Sequence, residues 1–171
     1  MAPPGVPQHV FNRGSRKGML FHHDRDYIAF LELLAEARQV CPMRIFAMCA
    51  MPNHWHFLLW PKEDQDVPGF MHQLTTCHAD YYRWKTNSRG QGAVYQSRYG
   101  DVVIESSWHL AVAWRYVEMN PVKAGLVATP ELWPWSSAAR EGPIADILPM
   151  DEPPEPRPTD WIDMEQDGEC V

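Results

Sequence analysis

His54 and His56 are separated by one residue in the run His54-Trp55-His56-Phe57-Leu58-Leu59-Trp60, whose aromatic and aliphatic content reads as a β-strand. Side chains two apart on a strand point to the same face, so the two imidazoles stand side by side while Trp55, Phe57 and Leu59 point to the other. Two imidazoles so placed can chelate one metal ion. A His-x-His triplet also arises by chance in strands, so the pair needs corroboration from elsewhere in the chain.

A downstream helix supplies it. Tyr116 and Asn120 lie four apart and share one stripe, with His109 and Lys123 close to the same line, while Leu110, Trp114 and Val117 form the adjacent core-facing stripe. A tyrosine within reach of a metal is a candidate nucleophile, because the metal stabilises charge on phosphate oxygens during displacement. Most helical tyrosines simply pack with the hydroxyl at the surface. The rivals are weaker: Tyr27 and Tyr81 sit on core stripes, Tyr95 and Tyr99 flank a strand, and Tyr82 comes within helical reach of His78. None has an amide four residues on beside a His-x-His strand.

The elements that must position these groups alternate along the chain. His9 to Asn12 reads as a strand ending at Arg13-Gly14, followed by a basic loop through Arg16 and Lys17. Asp24 is the expected N-cap of a helix to about Gln39, with Tyr27, Phe30, Leu31 and Leu34 on its apolar face. Met43 to Met51 and His54 to Trp60 read as strands joined by the turn Pro52-Asn53. Pro68 starts a helix with the stripe Phe70, Leu74, Cys77, Tyr81 and Trp84. Gly90 and Gly92 mark a loop, Tyr99 to Glu105 is a fourth strand, and Ser106 or Ser107 caps a last helix to about Asn120. The order β-α-β-β-α-β plus a helix predicts an α+β, ferredoxin-like fold: a four-stranded antiparallel sheet with helices packed on one face, and an additional C-terminal catalytic helix.

A length of 171 residues with 45% apolar and 22% charged residues suits one domain, expected over residues 1–141. The net charge of −7 argues at first against a polyanionic partner, but the average hides its distribution. Residues 1–140 hold 14 Lys+Arg against 12 Asp+Glu, a balance of +2, whereas residues 141–171 hold one Arg against 10 acids, a balance of −9. That acidic segment contains Pro153-Pro154-Glu155-Pro156-Arg157-Pro158, so residues 142–171 are expected to be a disordered or loosely docked tail, anchored locally by Trp161 and Ile162. Cys41, Cys49, Cys77 and Cys170 fall at scattered spacings without a Cys-x-x-Cys pair, which fits reduced core thiols rather than a zinc knuckle or disulfide framework. No apolar run approaches the roughly 20 residues that span a bilayer, and Met1 to Gln8 lacks the charged-then-apolar pattern of a secretion signal. A cytoplasmic protein at the nucleoid is expected.

Several separated motifs, in order, carry a resemblance. Met51-Pro52-Asn53-His54-Trp55-His56 is followed by Arg115-Tyr116-Val117-Glu118-Met119-Asn120-Pro121-Val122-Lys123-Ala124-Gly125-Leu126-Val127. Phe11-Asn12-Arg13-Gly14, Tyr95-Gln96-Ser97-Arg98-Tyr99 and Pro134-Trp135-Ser136-Ser137 agree as well. From about Val10 to Ser137 the chain resembles the REP-associated tyrosine transposases, which belong to the single-tyrosine transposases with a His-hydrophobic-His motif. The resemblance implies that His54 and His56 are metal ligands, Tyr116 is the nucleophile and Asn120 is the third ligand. Pro121 pulls Asn120 toward a kinked or terminating turn. Lys123 stands where the family pattern usually has Arg, which keeps the charge but loses bidentate phosphate geometry.

With those roles, imidazole plus amide oxygen suits Mn²⁺ or Mg²⁺. Tyr116 would attack a phosphodiester and release the 3′-oxygen, with His109, water or the metal site itself as proton acceptor. The expected partner is single-stranded DNA with hairpin-forming repeats, bound by a monomer or homodimer. Arg13, Arg16, Lys17, Arg83, Lys85, Arg89, Arg98 and Lys123 are the expected DNA contacts, interleaved with Trp84, Tyr95 and Tyr99 as stacking surfaces. Two alternatives stand beside this reading: a silent hairpin-binding module, and a metal-dependent hydrolase that activates water and has no use for Tyr116.

Overall fold

In the first strand, β1 (Gln8–Arg13), Val10 points into one core while His9, Phe11 and Arg13 share the opposite face. The computed structural model describes residues 5–62 and 67–159. β1 lies inside the sheet, antiparallel to β3 (His54–Leu59) on one side and β4 (Gly100–Val103) on the other, and β2 (Ile45–Met51) completes the order β2-β3-β1-β4. β1 and β2 both run antiparallel to β3, so they are parallel and need a crossover, which is α1 (Asp24–Val40). β3 and β4 flank β1 in the same way and are joined through α2 (Val67–Thr86). Two split β-α-β units in this order make the expected ferredoxin-like α+β fold.

Period-two alternation divides the sheet into two cores. α1 and α2 pack together over Val10, Met48, Ala50, Trp55, Phe57 and Leu59. α3 (Ser107–Lys123) lies on the other face, with Leu110, Ala113, Trp114 and Val117 over Phe46, Ala47, Cys49, Met51 and Leu58. A register shift between Ile45 and Ala47 lets Phe46 and Ala47 both serve that second core. Trp55 and Phe57 thus anchor β3 from behind, and His54 and His56 are left facing α3.

Several expected details change. α1 is capped by His23 rather than Asp24. Asp26 Oδ2 accepts the backbone N–H groups of His22 (2.8 Å) and His23 (3.0 Å), and its Oδ1 pairs with Lys85. Burial pushes the Asp26 carboxyl up, but those hydrogen bonds and the Lys85 charge outweigh it and hold it below its usual range. In α2 the stripe keeps Phe70 and Leu74 but then turns through His78 and Ala79. Cys77 and Tyr81 are half-buried, and Trp84 is 67% exposed. β4 is shorter than expected, and α3 continues through Pro121 to Lys123 instead of stopping at Asn120. Gly125, at φ 68°, closes it: Leu126 N–H reaches Pro121 O (2.9 Å) and Gly125 N–H reaches Val122 O (2.9 Å), a Schellman ending.

The expectation of a disordered or loosely docked tail is corrected for residues 142–159. α4 (Pro143–Ile147) and Leu148 bury Ile144 and Leu148 to 3% and 1% exposure in the α1/α2 core. Each such aliphatic contributes about 1.5–3 kcal/mol, which outweighs the local bias of the acidic, Pro-rich composition. Asp151 then accepts from Ile45 N (2.8 Å) and pairs with Arg38 (2.7 Å). Trp161 and Ile162 lie outside the described residues. Before the tail, Trp135 and Ser137 bond the exposed edge of β2 at Ala50 N (2.8 Å) and Met48 O (2.9 Å), so the Pro-Trp-Ser-Ser motif covers a sheet edge.

His78 enters the core because it has a partner there. The Tyr95 hydroxyl accepts from Trp55 Nε1 (3.1 Å) and is hydrogen-bonded to His78 Nδ1 (2.5 Å). Burial pushes the His78 pKa down to about 3. A histidine held neutral in the fold but protonated below about pH 6.5 in the unfolded chain costs stability as pH falls from about 6.5 toward 3. Denaturant titrations should therefore show His78→Phe losing about 1.4 kcal/mol per pH unit less than the wild type across that range, one proton's worth. Equal slopes for the two proteins would show that His78 is not held neutral.

Candidate active site

β3 begins at His54 directly out of the turn Pro52-Asn53, and that turn is clamped. Gly14 N–H donates to Asn53 O (2.8 Å), Leu20 and Phe21 N–H to Pro52 O (2.8 and 3.1 Å), and Asn53 Nδ2 to Lys17 O (3.2 Å). A Cβ on Gly14 would lie 2.2 Å from Gly18 O, so only glycine closes this loop. Within it Arg16 (φ 55°) and Lys17 (φ 60°) take left-handed backbone, a conformation that costs non-glycine residues about 1–3 kcal/mol each and persists at functional sites.

The turn also orients the first histidine. His54 Nδ1 lies 2.6 Å from Asn53 Oδ1, and since Asn53 Nδ2 is already donating to Lys17 O, the proton between them belongs to His54. His54 Nε2 then carries a lone pair. It faces Asn120 Oδ1 at 3.4 Å, and that amide has its own N–H committed to Tyr116 O (2.8 Å). Nitrogen and oxygen therefore meet as two acceptors with no proton between them. His56 lies beside them, its ring centroid 5.1 Å from that of His54; its Nδ1 is 3.0 Å from His9 Nε2, and its buried Nε2 has no hydrogen-bond partner.

Burial lowers the pKa of both site histidines. At His54 the Asn120 amide oxygen, which can accept from protonated Nε2, opposes that shift and the Arg13 charge adds to it, while His56, with His9, His54 and Arg13 as neighbours, is shifted well down. Both are neutral at neutral pH, the state in which imidazole binds metal. Among the described residues no three His, Cys, Asp or Glu side chains form a metal cage, so a cation here would rest on two imidazoles and one amide. The fit is chemical: an orphaned buried nitrogen and two facing acceptors are each satisfied by a divalent ion.

Tyr116 is half-buried on α3, its ring edge-on to His56 (5.4 Å) and to His9 (5.7 Å), with Lys123 Nζ 5.1 Å from the ring centre. The helix is started by Ser106, whose Oγ accepts His109 N–H (3.1 Å). It runs unbroken through Asn120, so the amide acts from helical geometry rather than from the kink expected at Pro121. His109 Nδ1 faces Glu105 N–H (3.4 Å), in its own helix cap.

Residues 7–120 match the family described as "Transposase IS200 like". The chain is 30% identical over 138 residues to a Haemophilus influenzae protein named as a REP-associated tyrosine transposase, covering 74% of this chain and 76% of that one. This chain belongs to the REP-associated tyrosine transposases. The solved structure of such a transposase bound to a REP hairpin superimposes with a TM-score of 0.67 at 18% identity, over 100% of this chain and 95% of the other. A transposase from Deinococcus radiodurans matches with a TM-score of 0.50 at 16% identity, over 66% of this chain and 88% of the other. Both likenesses speak to the fold.

In this transposase-family chain the expected basic contacts, Lys85 aside, fall into three groups. Arg13, Arg16 and Lys17 are exposed beside His54, and Lys123 stands over Tyr116. Arg98, exposed, packs on Tyr99 (4.9 Å), and both line a cavity of about 380 Å³ with Asn12, His72 and Thr75. Arg83 and Arg89 lie at the far end of α2, around a shallow concavity with Asp80, Gly90 and Gly92. Lys85 pairs its ammonium with buried Asp26, and Tyr95 is 8% exposed with its hydroxyl engaged, so it is no stacking surface, whereas Trp84 is exposed. Tyr82 leaves His78 to Tyr95 and packs near His22 instead.

Two buried groups were missed at the level of sequence. His9 is 6% exposed, its pKa pushed down to about 4 by burial and then by the His109 charge. Glu118 is 1% exposed on α3; it accepts from Ser137 Oγ (2.6 Å) and pairs with Arg157 from the tail. Burial raises the Glu118 pKa against those partners. The signal for His9 was its period-two alignment with Phe11 and Arg13.

Proposed function

We propose that this protein is a metal-dependent endonuclease and strand transferase that acts on single-stranded DNA beside hairpin-forming repeats, with Tyr116 as nucleophile. The observation that carries this reading is the convergence on one spot of two neutral imidazoles, the Asn120 amide oxygen 3.4 Å from His54 Nε2, and the Tyr116 ring 5.4 Å from His56. The hairpin-bound state of the solved relative supports the substrate class.

His54, His56 and Asn120 would hold Mg²⁺ or Mn²⁺, which when bound supplies charge stabilisation at phosphate oxygens. Tyr116 Oη forms a bond to phosphorus, the bond from phosphorus to the 3′-oxygen breaks, and the phenolic proton leaves as the bond forms. The products are a 5′-phosphotyrosyl protein and a free 3′-hydroxyl; attack by a 3′-hydroxyl on that linkage reverses the step, so rejoining needs no external energy. Lys123 places positive charge beside the phenol where phosphate charge gathers, and Arg13, Arg16 and Lys17 grip the backbone alongside. A hairpin-bearing oligonucleotide with a single-stranded extension should be cut and religated with Mg²⁺ or Mn²⁺ and left intact in excess chelator. Equal cutting with and without chelator would overturn the metal requirement.

The acidic end shields that basic surface. Truncating residues 142–171 would unseat Leu148 and strip Arg157 from Glu118, so the informative cut is after Thr159, which removes five acids and no Lys or Arg. The shortened protein should bind single strands several-fold more tightly at low salt, with the gain fading as salt rises. Unchanged or weaker binding would mean that residues 160–171 are no electrostatic shield.

A further inference from the structure

His9 and His56 meet diagonally across the β1–β3 pair: His9 opposes Leu58, and His56 opposes Phe11. Their rings stack at 5.1 Å with His9 Nε2 3.0 Å from His56 Nδ1, and both residues are buried, at 6% and 5% exposure. One proton lies between the two nitrogens. Were His9 the donor, neutral His56 would carry its own proton on Nε2, a buried N–H with no acceptor, at a cost of the order of 1–3 kcal/mol. With His56 as donor, Nε2 keeps a bare lone pair, and orphaned acceptors are better tolerated than orphaned N–H groups.

We propose that His9 is a positioning residue: its Nε2 accepts the His56 Nδ1–H, which fixes the ring and leaves the His56 Nε2 lone pair for a divalent cation. The inference rests on the metal-dependent reading above and adds to it the residue that sets the ligand's tautomer, a task usually given to a carboxylate or carbonyl. Phe11 (5.3 Å) and Tyr116 (5.7 Å) wedge the His9 ring at its angle. Phe11 in turn needs the bare backbone of Gly100, where a Cβ would fall 2.6 Å from its ring. His9 thereby links the sheet, the tyrosine and the ligand.

Nitrogen-15 NMR of the metal-free full chain with labelled histidine, at about neutral pH, should show His56 protonated at Nδ1 and bare at Nε2. The reverse tautomer overturns the proposal without reference to any variant. Mn²⁺ binding, followed by electron paramagnetic resonance, should weaken about 10- to 100-fold in His9→Leu and recover to within a few-fold of wild type in His9→Gln, whose Oε1 can accept the same proton. A packing role alone would favour leucine over glutamine, so that order of affinities is the signature. Wild-type affinity in His9→Leu overturns the assignment of His9 while leaving the metal site standing. A wild type that binds Mn²⁺ no better than His56→Ala instead overturns the metal reading itself.

Discussion

Tyr116→Phe should abolish strand cleavage, a loss of the order of 10⁴-fold or more, the scale on which removal of an enzyme's nucleophile registers. The substitution deletes one oxygen from a half-buried ring and leaves its contacts with His9, His56 and Lys123 in place. Stability should change by less than about 1 kcal/mol, and hairpin binding should stay within about twofold of wild type, because affinity for nucleic acid comes from the basic surface. That separation of cleavage from binding distinguishes a nucleophile from a structural tyrosine. A Tyr116→Phe protein that still cuts at a substantial rate would favour the hydrolase that activates water.

His56→Ala should remove metal-dependent cleavage and weaken Mn²⁺ affinity by more than about 100-fold, since it deletes a ligand outright. It also removes a 5%-exposed ring and leaves His9 Nε2 without its partner, so a destabilisation of about 2–4 kcal/mol should accompany the loss. Thermal melting and hairpin binding need to be measured on the same preparation. A folded His56→Ala protein that binds the hairpin and cleaves it at the wild-type rate would rule out a metal held by the strand pair.

The order of elements was legible in the sequence because hydrophobic periodicity switches cleanly from two to 3.6, and the pairing of His54 with His56 follows from strand alternation alone. What joins distant segments was not legible. Nothing local says that β1 lies beside β3 in the register that brings His9 against His56. At 77 and 78 in α2 both residues fall on the inward arc, and the Tyr95 hydroxyl seventeen residues on decides for the histidine. Lys85 resembles any solvated cation until α1 brings Asp26 beneath it. Composition misjudged residues 142–159, because two well-placed aliphatics and one paired aspartate outweigh a run of prolines and acids. Asn120 was read correctly as neighbour to Tyr116, but the helix passing through Pro121 required Gly125 to supply its ending three residues later than expected.

The central claim is that the DNA becomes covalently attached to one named oxygen, and mapping that bond tests it most directly. The wild-type protein, incubated with a hairpin-bearing single strand and Mn²⁺ or Mg²⁺, should yield an adduct that survives denaturation. Proteolysis and mass spectrometry should place a 5′-phosphate linkage on the peptide containing Tyr116, and the adduct should be absent from Tyr116→Phe. Attachment at Tyr82 or Tyr99, or cleavage with no adduct at all, would contradict the account.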